Sequence, residues 1–176
     1  MQQNTFKKID VSKIYNGEIA EIPFEFEIEP EDTEHLDLVF SENVKVKGRV
    51  YEKAHGKNRA ESYVELEFEI TGNFETHCAR CACDVKEEFN CSRVYGVSKK
   101  LMNDSDEYIE VPDGLLDVYE LASSIFYLEL PTKVLCKEDC EGLCVVCGGN
   151  LNETKCNCKR NIGANTLEDL KKLLDN

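Results

Sequence analysis

The sequence predicts an α+β protein: an N-terminal antiparallel β-sheet, either open or closing toward a barrel, then a core helix and a zinc-binding C-terminal segment. Three observations lead there. Apolar and charged residues alternate with period two over several stretches of the first hundred residues. Near Asp117 the pattern switches to helical spacing. Eight of the ten cysteines fall into two clusters, one around residue 80 and one beyond residue 135.

The strands come first. Ile22, Phe24, Phe26 and Ile28 alternate with Glu21, Glu25, Glu27 and Glu29, the mark of a half-buried strand. Val44, Val46 and Val50 alternate with Lys45, Lys47 and Arg49. Val64, Leu66, Phe68 and Ile70 alternate with Glu65, Glu67 and Glu69. Between these last two, His55-Gly56-Lys57-Asn58-Arg59 suits a hairpin loop. Pairing them would set a basic face beside an acidic one, with cross-strand pairs worth roughly 0.2–1 kcal/mol each. That accounts for both charge runs without a nucleic-acid stripe. A further strand is expected over Val85 to Val97, where Val85, Phe89, Cys91, Tyr95 and Val97 share parity, so Cys91 is a small core residue.

Residues 99–114 form a polar stretch punctuated by Pro112 and Gly114, the expected linker. Asp117 and Glu120 make a capping-box-like helix start. Val118, Leu121, Ala122, Ile125 and Leu128 follow at helical spacing, and the helix should stop before Pro131. A short last helix is expected from Thr166 to Leu174, with Leu167, Leu170, Leu173 and Leu174 on one side and Lys171 and Lys172 near its C-terminal end. The chain thus divides into a β domain over 1–98 carrying the first Cys-x2-Cys, a linker over 99–114, and a helical, cysteine-rich part over 115–176.

Composition narrows the function. The 176 residues can bury a core of one or two small domains. Met1 to Asp10 is polar and charged, so no secretory signal is expected, and no run of 18 apolar residues offers a membrane span. Ten cysteines without such a signal point to the reducing cytoplasm rather than to a disulfide framework. The formal net charge of −14 repels phosphate backbones at long range. A basic protein partner, or a local RNA contact inside a larger assembly, fits that balance, although acidity also serves solubility alone.

The cysteines carry the chemistry. Cys78 and Cys81 make one Cys-x2-Cys pair; Cys136, Cys140, Cys144, Cys147, Cys156 and Cys158 lie close together near the C-terminus, and Cys83 and Cys91 are left over. Eight thiols complete two tetrahedral zinc sites. In one partition Cys144, Cys147, Cys156 and Cys158 form a local site, and Cys78 and Cys81 join Cys136 and Cys140. In the other, the two Cys-x2-Cys pairs share an ion, as in a zinc ribbon. Loop closure favours the first, because a short segment can fold around its own ion. Gly148 and Gly149 support it by allowing positive φ, so that backbone N–H groups can turn toward thiolate sulfur.

Other cysteine chemistries fit less well. The spacings match neither ferredoxin pattern, and Cys78-x2-Cys81 lies between strands rather than opening a helix as a thioredoxin-like pair would. Catalytic zinc wants an open position and usually histidine or carboxylate. Here His35, His55 and His77 lie far from the C-terminal cluster, and His77 is an exposed neighbour of Cys78. There is no phosphate-cradling glycine loop, nucleophile elbow or His-Glu-x-x-His helix, so no catalytic residue is assigned. Lys155, Lys159 and Arg160 flank Cys156 and Cys158, where they offset thiolate charge or touch RNA phosphate.

Taken in order, Cys78-Ala79-Arg80-Cys81 at a strand end, the Asp117 helix running into Leu128-Glu129-Leu130-Pro131, and the run from Cys136 through Cys147-Gly148-Gly149-Asn150-Leu151-Asn152 resemble the YceD family. The resemblance spans nearly the whole chain. It implies a role in accumulation of 23S ribosomal RNA, through its synthesis, processing or stability, and no enzymatic activity. The implied partners are a large-subunit ribosomal protein or pre-ribosomal particle, with 23S rRNA met directly or indirectly, and neither membrane nor small-molecule substrate. Some family members lack the full C-terminal cysteine set, which makes Cys78 and Cys81 the more general motif. The competing functions are an RNA-processing enzyme with an unrecognised site and a zinc- or redox-responsive regulator.

Overall fold

The computed structural model describes residues 8–53, 63–99 and 108–158. The expected hairpin loop at His55–Arg59, the last helix at Thr166–Leu174, and Lys159 and Arg160 lie outside the described residues. The chain separates into two units, the first from Met1–Thr76 with Lys86–Thr132 and the second from His77–Val85 with Lys133–Asn176.

The first unit is mostly β-sheet. Its elements in chain order are β1 (Lys8–Asp10), the one-turn α1 (Ser12–Tyr15), β2 (Glu21–Ile28), a 3-10 turn at Glu34–Leu36, β3 (Val39–Phe40) and β4 (Val44–Lys53), followed by β5 (Tyr63–His77), β6 (Asp84–Ser98), β7 (Tyr108–Glu110), β8 (Leu115–Asp117) and α2 (Val118–Glu129). The four long strands coincide with the four alternating stretches. The main sheet runs β2-β4-β5-β6-β7, with β3 pairing β5 off this path, while β1 and β8 form a separate antiparallel pair.

The main sheet is open, so closure toward a barrel is not found among the described residues. Closing a barrel takes tilted strands long enough to carry the ladder round. Here β3 and β7 have two and three residues. Nor is the sheet wholly antiparallel, because β7 runs parallel to β6. This strand lies within the stretch expected as a linker.

Register explains the charge runs. Lys45 and Lys47 of β4 lie opposite Glu27 and Glu25 of β2, while Lys47 and Arg49 lie opposite Glu69 and Glu67 of β5. Arg49 meets Glu67 at 2.5 Å and Glu21 at 3.2 Å. The opposite face carries Val44, Val46, Val50, Leu66 and Ile70 into the core. Glu65 is the exception to charge at the surface. It is buried, and accepts from Tyr51 Oη at 2.7 Å and from Lys53 Nζ at 2.9 Å. Burial opposes its ionisation, but the hydrogen bonds from Tyr51 and Lys53 outweigh it and hold the carboxyl below its ordinary value of 4.5. The folded value being the lower one, the stabilisation is complete above 4.5 and lost as pH falls through the folded value. Glu65→Ala should therefore cost about 1–3 kcal/mol in urea unfolding at neutral pH, with the difference from the parent shrinking in acid. An equal difference at pH 3 and pH 7 would contradict this account.

Helix α2 starts where Asp117 accepts the Glu120 N–H at 3.1 Å and ends at Leu130, before Pro131. Its buried face is Val118, Ala122, Ile125 and Phe126. Leu128, expected in the core, is 82% exposed. At about 100° per residue it lies roughly a quarter turn from the line through Ala122 and Ile125, and Phe126 takes the inward place. Phe126 meets Phe40 of β3 and Phe89 of β6 edge-on, at centroid distances of 5.5 and 5.3 Å.

Among its described residues the second unit has little regular structure. It comprises the turn between β5 and β6 and the described residues from Lys133 onward, around an apolar cluster of Cys78, Cys81, Val85 and Cys140 with Val134 and Leu135. The division differs from boundaries at 98 and 114. Helix α2 groups with the sheet because its aromatic face packs there, and the Cys78–Cys81 turn groups with the C-terminal segment.

Candidate metal centre

The first cysteine set is assembled by backbone pairing. Cys78 follows the last residue of β5, and the turn closes through Cys78 N–H to Cys83 O and Ala82 N–H to Cys78 O, both 2.8 Å. Ala82 supplies a left-handed φ of 55°. The C-terminal segment then docks on this turn. Ala79 N–H donates to Val134 O at 2.9 Å, Leu143 N–H to Arg80 O at 3.0 Å, and the Arg80 guanidinium to Cys140 O at 2.8 Å. Gly142 is required at that contact. Its φ is 77°, and a Cβ there would come within 2.9 Å of Arg80 O.

This docking brings Cys78, Cys81, Cys136 and Cys140 together, with all four sulfurs within 4.8 Å of one another. Cys78 Sγ lies 3.7 Å from Cys140 Sγ, and Cys81 Sγ 3.5 Å from Cys136 Sγ, although these pairs are 62 and 55 residues apart in sequence. A tetrahedron with Zn–S bonds of about 2.3 Å has edges near 3.8 Å, so the donor set fits a four-coordinate soft ion. Burial works against a Cys78 thiolate, yet the N–H groups of Cys136, Arg80 and Cys81 outweigh it and bring the thiol down to about 5. Burial likewise opposes Cys140, which the Asn152 amide at 3.3 Å and the Gly142 N–H hold below the ordinary thiol value. Burial and the surrounding thiols push Cys136 up. Without an ion, protons are thus shared unevenly across the set.

The second set, Cys144, Cys147, Cys156 and Cys158, is equally compact, its sulfurs lying within 4.8 Å of one another. Cys144 is held down to about 6 by the N–H groups of Cys147 and Val146, helped by the Cys156 thiol. Hydrogen bonding to Cys147 pushes Cys158 up to about 12, with burial adding to it. Gly148 does take a positive φ of 70°. Its N–H, however, donates to Cys144 O at 2.8 Å, and the sulfur receives Val146 N–H at 3.5 Å instead.

The grouping is that of the local-site partition. His77 stands outside both sets, its Nε2 3.4 Å from Asp84. Cys91 is buried in β6, where burial raises its thiol pKa. Cys83, left over from the two sets, lies beside the first of them, since the Cys81 thiol points to its sulfur at 3.3 Å. Spacing gave no sign of Asn152. It accepts Glu141 N–H at 2.9 Å through Oδ1 and donates to Cys140 and Asn150 through Nδ2. An amide two residues after another, Asn150-x-Asn152, was the only available signal.

Comparison with known proteins agrees with the order of these motifs. The family model described as "Large ribosomal RNA subunit accumulation protein YceD" matches residues 66–174, a span that holds all eight clustered cysteines. A Zea mays protein named "Large ribosomal RNA subunit accumulation protein YCED homolog 1, chloroplastic" is 34% identical over 77 residues, 38% of this chain and 26% of the relative. Its Arabidopsis thaliana namesake is 36% identical over 45 residues, 26% of this chain and 14% of the relative. The matched stretches therefore span about a quarter or less of these relatives' own length. No solved structure matches the chain.

Proposed function

Since the chain belongs to the YceD family, whose model covers residues 66–174, we propose that it is a non-catalytic factor in ribosome biogenesis, supporting the synthesis, processing or stability of 23S rRNA and assembly of the large subunit. The family match is the observation that carries this reading. The Zea mays and Arabidopsis thaliana relatives are named for accumulation of the large ribosomal RNA subunit, which supports the broader part of this reading.

Within that role the two cysteine sets hold two structural zinc ions. When bound, zinc would offset half the charge of four thiolates and close each set without leaving a position for substrate. The chain's own groups do the rest. Backbone N–H groups and Asn152 stabilise sulfur charge, and Arg80 with Gly142 locks the β5–β6 turn onto the C-terminal segment. Ten cysteines, eight of them in metal-ligand spacing, suit a reducing compartment, the cytoplasm, and no helix among the described residues is long and apolar enough to cross a membrane. The net charge of −14 suits a basic ribosomal protein or a pre-ribosomal particle as partner more than bare RNA.

The test is sedimentation of ribosomal particles after depletion of the protein. A reduced ratio of large to small subunits, with loss of 23S over 16S rRNA and restoration by the intact chain, is expected. A normal ratio would reject the reading. Turnover of RNA by the purified protein, abolished by one substitution, would replace it with an enzyme.

A further inference from the structure

A cleft of about 510 Å³ in the first unit lies outside both cysteine sets and has no part in the function proposed above. One wall is a stripe of α2, in which Tyr119, Ser123 and Tyr127 recur at intervals of four. A serine between two tyrosines leaves a notch where a third large side chain would stand. The other wall is the end of β2 and the chain beyond it, with Glu27, Glu29 and Glu31. Among the described residues, no lysine, arginine or histidine lines the cleft. Tyr127 Oη accepts the Glu31 N–H at 3.0 Å and ties the two walls together, and Asn43 donates to Glu27 at 3.2 Å.

Two further observations point to a ligand. Ser123 Oγ is buried and has no hydrogen-bond partner, which is uncommon for a buried hydroxyl. Two of the three carboxylates also lie beyond the β2–β4 ladder: Glu27 stands opposite Lys45, but the pairing ends at Ile28, before Glu29 and Glu31. Arg49 answers Glu21 and Glu67, and Lys53 answers Glu65, whereas among the described residues no ion pair reaches Glu29 or Glu31.

We propose that this cleft receives an arginine side chain from a basic polypeptide partner. A guanidinium is flat, stacks on tyrosine faces and donates to carboxylates in pairs, so one group uses both walls at once. Phosphate is excluded by the three carboxylates, which makes a nucleic-acid occupant the unfavoured class. The inference stands apart from the ribosomal role, because it is tested with purified components. Peptide binding can fail while the rRNA phenotype persists, and the reverse.

The experiment is a titration of the full-length ¹⁵N-labelled protein with an (Arg-Gly)₄ peptide, read by amide shifts at fixed low salt. Saturable shifts confined to residues 27–31 and to Tyr119, Ser123 and Tyr127 are expected. The double substitution Glu29→Gln/Glu31→Gln should weaken binding at least tenfold, and Ser123→Leu, which fills the notch, should abolish the local shifts. Glu87→Gln/Glu88→Gln on exposed β6 makes the same charge change elsewhere and should alter affinity less than twofold. The carboxamide variants alter only exposed side chains, so they keep the test valid if Ser123→Leu does not fold. Equal weakening by both doubles would show bulk attraction and overturn the proposal. So would shifts spread over all acidic strands, equal affinity for spermidine, or the same local shifts on adding an RNA oligonucleotide.

Discussion

A Cys78→Ser protein is expected to bind one zinc ion per chain where the parent binds two, and to lose the attachment of the C-terminal segment to the β5–β6 turn. The effect is large because the ligands of the first set come from two stretches 55 and 62 residues apart, so the ion closes a long loop. Closed structural zinc sites carry apparent binding free energies on the order of 10 kcal/mol. The direct measurement is zinc content by mass spectrometry of the purified full chain, followed by limited proteolysis. Cleavage around residues 131–135, where the C-terminal segment begins, should be faster in the variant than in the parent. Cys144→Ser should also reduce the content to one ion but leave that protection intact, since its set is local. Cys83→Ser should keep both ions, because Cys83 neighbours Cys81 without belonging to either four-sulfur group. Unchanged zinc content in Cys78→Ser, or loss of an ion in Cys83→Ser, would show that the ligands are assigned wrongly.

Phe126→Ala should destabilise the first unit by about 3–5 kcal/mol, the usual range for deleting a buried phenylalanine. Phe126 is fully buried and makes edge contacts with Phe40 and Phe89, so no neighbour can fill the space without leaving its own place. Urea unfolding followed by tyrosine fluorescence gives the number. Leu128→Ala, two residues on but 82% exposed, should fall within about 0.5 kcal/mol of the parent. Reversal of the two effects would mean that the helix faces the sheet with a different phase.

That contrast also shows how far the sequence could be read. The alternation of Glu with Ile and Phe along 21–28, and of Lys with Val along 44–50, located β2 and β4 because each strand buries one face only. β3, β7 and β1 are two or three residues long, too short for a period to show, and they form through pairing with distant strands. Spacing indicated Leu128 for the core of α2, whereas packing against Phe40 and Phe89 selected Phe126. In the metal centre the thiols and their grouping were legible from ligand spacing and loop length. Gly142, Arg80 and Asn152 were not, because each acts on a turn that is only its neighbour once folded. The cleft between α2 and the end of β2 was equally hidden, being made by two walls ninety residues apart.

The excursion His77–Val85, which leaves the sheet between β5 and β6 to serve the second unit, has a consequence during synthesis. A growing chain exposes Cys78 and Cys81 long before Cys136 and Cys140 exist. At about 5–20 residues per second, the wait from Cys81 to Cys140 is roughly 3–12 s. The set from Cys144 to Cys158 needs only its own 15 residues and is complete within about 3 s of its first thiol. Loading of the two proposed ions would therefore be staggered. An unfinished polypeptide carries a naked dithiol open to stray copper, to oxidants or to the cysteines of a neighbouring nascent chain, and the rate of translation through β6 and α2 sets how long that window lasts.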